Sequence, residues 1–113
     1  MVRYRQFYEG RMELFGLLEE GVFTCPRSSL FNKYPPMQYT GVYDMKGVEI
    51  CTGDILLLRG KNEHNKPVVY INGMFGVKSA RGNVCALSSL VSFNRRFEVI
   101  GNTYENPELL PND

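Results

Sequence analysis

Residues 37 to 60 read MQYTGVYDMKGVEICTGDILLLRG, and the spacing of reversal signals in this stretch constrains the fold more than anything else in the chain. Asp44, Met45, Lys46 and Gly47 suit a tight turn. Asp in the first position accepts bonds from backbone N–H groups two residues on, and Gly tolerates the positive φ that closes the reversal. Gly53 and Asp54 repeat the device immediately before the apolar run Ile55 to Leu58. Val48 to Thr52 therefore reads as a short strand reversed at both ends, with antiparallel neighbours.

The same stretch carries three carboxylates, Asp44, Glu49 and Asp54, and so poses the question of an acid and base pair. A strand of this length, at about 3.3 Å per residue, holds its ends roughly 16 Å apart, beyond the ~5 to 9.5 Å of paired catalytic carboxylates in glycoside hydrolysis. Asp44 and Asp54 are accordingly read as turn formers. Glu49, on the strand between them, is expected to face solvent or to pair with Arg59 or Lys46.

The rest of the chain extends the β pattern. VRYRQFY alternates Arg3 and Arg5 with Val2, Tyr4 and Phe7, and YEGR supplies a turn, so the chain is expected to open with a hairpin. MELFGLLEEG fits either period, but Gly16 weakens a helix by roughly 1 kcal/mol relative to Ala, and the segment is taken as extended. The segment 24–36 holds three prolines and reads as a Pro-rich loop. GKNEHNK, residues 60 to 66, is a polar loop before the strand PVVYING, and FEVIGN is a late strand. A short helix is expected over Ser88 to Asn94, N-capped by Ser88, with Leu90, Val91 and Phe93 toward the core. Residues 105–113 form an extended tail. With 113 residues, 43% hydrophobic and 22% charged, the whole is one globular domain of α+β class, mainly antiparallel β, a small barrel-like or strongly bent sheet with one short helix.

Reactive groups are sparse and scattered. Cys25, Cys51 and Cys85 lie 26 and 34 residues apart, which suits neither a disulfide framework nor clustered metal ligands, and reduced thiols are expected. The single histidine, His64, sits in the polar loop, and nothing in the spacing ties it to Cys51 as a nucleophile dyad. No glycine pattern for cradling phosphate is present. The opening MVRYRQF has no apolar segment after its arginines. The longest apolar runs, Ile55 to Leu58 and Val68 to Ile71, are four residues each, against the roughly twenty of a membrane helix. A cytoplasmic protein without catalytic residues, metal or cofactor is the expectation.

Two of these stretches together, MQYTGVYDMKGVEICTGDILL and EVIGNTYENPELL, closely resemble the YopX family, small proteins found mainly in bacteriophages, prophages and related mobile elements. VRYRQFYEGRM is similar to the family's opening strand and turn, so the resemblance spans nearly the whole chain and is weakest between Gly60 and Val91. The positions that carry it are Tyr39, Thr40, Gly41, Asp44, Gly47, Gly53 and Asp54, then Gly101, Asn102, Tyr104, Asn106 and Pro107. Thr52 stands where the family typically has Glu, and Thr103 where Ile is common. The resemblance implies a small β-rich or α+β domain, self-association in some members, and no established enzymatic activity. The residues themselves read as backbone geometry: Gly101 and Asn102 turn the chain, Tyr104 buries its ring, and Asn106 before Pro107 is pushed toward an extended conformation.

Two partner classes follow from the surface residues. Arg3, Tyr4, Arg5, Phe7 and Arg11 interleave basic and aromatic groups as single-strand nucleic-acid binders do, with Arg81, Arg95 and Arg96 as a second patch. Thirteen basic against twelve acidic residues leave a net charge of +1, and that balance favours the plainer reading of solvated arginines. The aromatic and proline mix SSLFNKYPPMQY would present Phe31, Tyr34 and Met37 to a host or phage protein or to a second copy. A noncatalytic protein-binding or self-associating accessory protein is the leading expectation, and a nucleic-acid-binding β-domain the alternative.

Overall fold

A computed structural model describes residues 4–15, 18–19, 22–23, 36–59, 64–79, 81–92 and 96–110. The chain divides into two compact units, Met1–Tyr39 and Thr40–Asp113. The division falls inside a strand, where no change of composition marks it in the sequence.

In the first unit β1 (Tyr4–Tyr8) and β2 (Arg11–Phe15) form the expected hairpin, in register from Tyr4 opposite Phe15 to Tyr8 opposite Arg11. Its two-residue turn has positive φ at both Glu9 and Gly10, the handed turn that matches strand twist. Met12 to Phe15 is extended as read, Gly16 lies outside the described residues, and β3 (Leu18–Glu19) pairs with β4 (Val22–Phe23). The other edge of β1 pairs with the start of β5 (Met37–Tyr43), Arg5 opposite Met37. The Pro-rich loop, Pro36 apart, lies outside the described residues.

In the second unit β5 runs on beside β6 (Glu49–Cys51). A five-stranded antiparallel sheet follows, built from β7 (Asp54–Arg59), β8 (His64–Ile71), β9 (Met74–Lys78), β10 (Val84–Ala86) and β11 (Arg96–Asn102). Its order is β10-β9-β8-β7-β11. β10 and β11 are edges, so among the described residues no sheet closes on itself and the barrel-like form is not what the strand order shows. The buried core joins Ile50, Leu56, Leu58, Val68, Val77 and Phe97 with Leu87 and Leu90 of the helix α1 (Leu87–Ser92).

Several expectations need correction. α1 begins at Leu87, one residue ahead of the proposed cap, and points Leu87 and Leu90 inward while Val91 is exposed; Phe93 lies outside the described residues. The polar stretch His64 to Lys66 is strand, because the apolar Leu56 to Leu58 opposite supplies the pairing and polar side chains are tolerated at the open end of β8. The tail curls instead of extending: Pro107–Leu109 is one 3-10 turn, and Asn106, at φ −131 and ψ 47, enters it. Proline at the first helical position has no N–H to leave unsatisfied there.

Candidate functional site

Asp44 is buried, and its side chain organises everything around it. Its Oδ1 accepts Lys46 N–H at 2.9 Å and Val48 N–H at 2.8 Å, closing the turn predicted by the sequence, with Gly47 at φ 83. Its Oδ2 faces the other way and accepts Val99 N–H of β11 at 2.9 Å, while Met45 N–H donates to Phe97 C=O at 3.1 Å. One carboxylate therefore closes a hairpin and fastens it to the outer edge of the five-stranded sheet.

A second carboxylate guards that junction. Glu98 is buried, yet bonds to both Arg59 and Lys46, the latter at 3.0 Å. Arg59 reaches it as a diagonal neighbour on β7, two residues beyond the cross-strand partner Leu57. The Lys46 ammonium and the Arg59 guanidinium hold the Glu98 carboxyl below the usual carboxylate range, against the opposing effect of desolvation. Glu49, expected to face solvent or to pair with Arg59 or Lys46, is half-buried and accepts Gly41 N–H at 3.2 Å. Glu98 was not legible in the sequence, since the pairing of β7 with β11 brings Arg59 to it and the fastening of the Asp44 turn to β11 brings Lys46.

The other motif residues are also spent on backbone. Asp54 accepts Cys51 N–H at 2.8 Å, and Gly53, at φ 88, bonds Val68 C=O and Thr103 N–H. Thr40 Oγ1 donates to Ile50 C=O at 2.9 Å and accepts Val42 N–H at 3.1 Å. Asn102 Oδ1 accepts the N–H groups of Tyr104 and Glu105, and its own N–H donates to Asn106 Oδ1 at 3.2 Å. Asn106 lies over Gly101 so closely that a Cβ there would meet its Oδ1 at 2.5 Å. The tail is pinned further along by Asn65 Nδ2 on Leu109 C=O at 2.9 Å. Tyr104 is half-buried, and that burial raises its phenol above the ordinary value. The sequence motifs around Asp44 and around Asn106 thus meet on one strand, covering successive parts of the outer edge of β11.

The expected partner surfaces are redistributed. Met37 is 4% exposed and so cannot present itself to a partner, and Phe31 and Tyr34 lie outside the described residues. Its burial follows from strand alternation where β5 pairs with β1. Tyr4, Arg5 and Phe7 are all half-buried, with Gln6 buried between them; Arg3 and the side chain of Arg11 are outside the described residues. Tyr4 and Phe7 are three apart and so project from opposite faces of β1, which prevents a shared inward packing. Arg81 and Arg96 are exposed but belong to opposite edges of the five-stranded order, one beside β10 and the other on β11, and Arg95 is outside the described residues. Cys51 is buried, Cys85 is exposed, and His64 is exposed at the start of β8. Among the described residues, no three His, Cys, Asp or Glu are grouped to hold a metal ion, and no helix is long and apolar enough to cross a membrane.

Large apolar side chains stand out instead on the Asp44 hairpin: Tyr43 is 57% exposed, Met45 50% and Val48 48%. The signal for them was present in the sequence as apolar residues flanking and occupying a turn. Tyr70 and Ile71 are likewise exposed beside the Asn72–Gly73 turn, where the Tyr70 and Phe75 rings pack at 4.9 Å.

Comparison with known proteins agrees with this architecture. No curated protein matches the chain. Among solved structures it is similar to protein EF1440 from Enterococcus faecalis, with 26% identity and a TM-score of 0.65 over 98% of this chain and 99% of that one. It is also similar in fold to protein yopX from Bacillus subtilis, with 22% identity and a TM-score of 0.68 over 96% of this chain and 98% of that one. The family model described as YopX protein matches residues 11–111, and the chain belongs to the YopX family.

Proposed function

We propose that this protein is a noncatalytic accessory protein of phage or prophage type, working in the cytoplasm of a bacterial host by binding a protein partner or a second copy of itself. The observation that carries the reading is the exposure of Tyr43, Met45 and Val48 on a turn whose polar groups are satisfied from within. Aromatic residues and Met are enriched at the centres of protein interfaces, and a pre-formed turn loses little entropy when it docks. The noncatalytic part rests on how the carboxylates are used: Asp44 and Asp54 hold backbone N–H groups, and Glu98 is neutralised by two cations. A general acid or base needs a titratable group facing substrate, and these face the fold.

The test compares the parent with a variant carrying Tyr43→Ser, Met45→Ser and Val48→Ser. Light scattering over a concentration series and retention of host or phage proteins on the immobilised chain are measured for both. The parent should associate or retain a discrete, nuclease-resistant protein, and the variant should lose that property while keeping its circular dichroism. A parent that stays monomeric and retains nothing, or a variant that behaves as the parent does, refutes the reading.

A further inference from the structure

An edge strand presents a row of backbone N–H and C=O groups on which another strand can pair. On β11 several of those groups are taken by the chain itself. Phe97 C=O accepts Met45 N–H at 3.1 Å, Val99 N–H donates to Asp44 Oδ2 at 2.9 Å, and Asn102 N–H donates to Asn106 Oδ1 at 3.2 Å. The cover over Phe97 and Val99 is a turn and not a strand. Lys46, the side chain that clips it to Glu98, is 68% exposed, so water competes for that contact.

We propose that the Asp44–Val48 turn is a releasable mask, and that the edge beneath it pairs with β11 of a second copy of this chain. The occupant follows from register and charge. Phe97 and Val99 direct backbone groups outward, so a two-fold antiparallel pair can centre on Phe97 facing Phe97 of the other copy, which places Arg96 of each strand opposite Glu98 of the other. Arg96 is exposed in the folded chain and takes the place that Lys46 vacates when the turn lifts. A pair centred on Glu98 would oppose like charges, and one centred on Val99 would run into the register shift between Val99 and Gly101. This goes beyond the association of the folded surface proposed above, because it requires the turn to open.

Asp44→Asn tests it. Asn retains one oxygen for Lys46 and Val48 but sets an amide donor against Val99 N–H. Light scattering across a concentration series, with amide exchange followed at Val99, should show a doubling of mass relative to the parent. Val99 should exchange fast when dilute and be protected when concentrated. Adding Arg96→Glu to Asp44→Asn should abolish both effects. An Asp44→Asn protein with fast Val99 exchange and the parent's mass at every concentration overturns the second copy as occupant. A double variant that associates as Asp44→Asn does overturns the Phe97-centred register. If Asp44→Asn leaves Val99 protected when dilute, Lys46→Glu is measured in the same way, since it repels the turn from Glu98 without altering Asp44. If neither variant opens the edge while remaining folded, the turn is not releasable and the proposal fails.

Discussion

Gly101 is glycine for lack of room. A Cβ there would lie 2.5 Å from Asn106 Oδ1, 2.8 Å from its Cγ and 2.9 Å from its Cβ, and the last of these cannot rotate away. Gly101→Ala should therefore destabilise the chain by about 1–3 kcal/mol in chemical denaturation. The penalty should shrink when Asn106→Gly removes all three atoms; an equal penalty in both backgrounds would place the strain elsewhere. Glu98 gives a pH prediction whose sign is set by its depressed folded value. Its contribution is complete above the unfolded carboxylate value, near ~4.3, and is lost as pH falls through the lower folded value. Denaturation midpoints measured from pH 7 to 3 should fall more steeply for the parent than for Glu98→Gln. Tyr104 acts at the other extreme: burial raises its phenol, so its contribution holds below about pH 10 and is lost as pH climbs through the raised value. Tyr104→Phe should flatten the alkaline limb of the same curve.

At the level of elements, the Asp44 hairpin and the C-terminal turn are two devices for one task. Each satisfies outward groups of β11 that would otherwise be unpaired. Asp44→Ala removes the acceptor for three backbone N–H groups, and bonds to a charged acceptor contribute about 1.5–3 kcal/mol each, non-additively. A loss of about 3 kcal/mol or more is expected, with Asp44→Asn losing less because the turn bonds survive. Equal losses for the two variants in denaturant titrations would mean that the bridge to Val99, and not the turn, carries the stability. The turns at Gly47 and Gly53 were legible in the sequence because Asp and Gly encode their own local geometry. The tail was not read correctly, because the conformation of Asn106 depends on Asn102 and Gly101 being held at the end of β11.

For the whole molecule, stability should centre on the second unit's core, where Leu56 is completely buried among residues of several strands and α1. Leu56→Ala should cost about 2–5 kcal/mol, a large share of the ~5–15 kcal/mol by which a domain of this size is stable. A thiol reagent offers an independent check: Cys85 should react in the folded chain, and Cys51 only once that core opens. What the sequence by itself determined is the antiparallel β character, the hairpin at Glu9 and Gly10, the two turns around β6 and the family. Each of these is written in local alternation or in residues with few allowed conformations. Tertiary structure alone decided that β10 and β11 end an open sheet, that Met37 is buried while Tyr43, Met45 and Val48 are not, and that Lys46, Arg59 and Glu98 converge. Those outcomes depend on pairings between residues far apart in the chain, such as Arg59 with Arg96 and Asp44 with Val99, and no local pattern of side chains encodes which strand lies beside which.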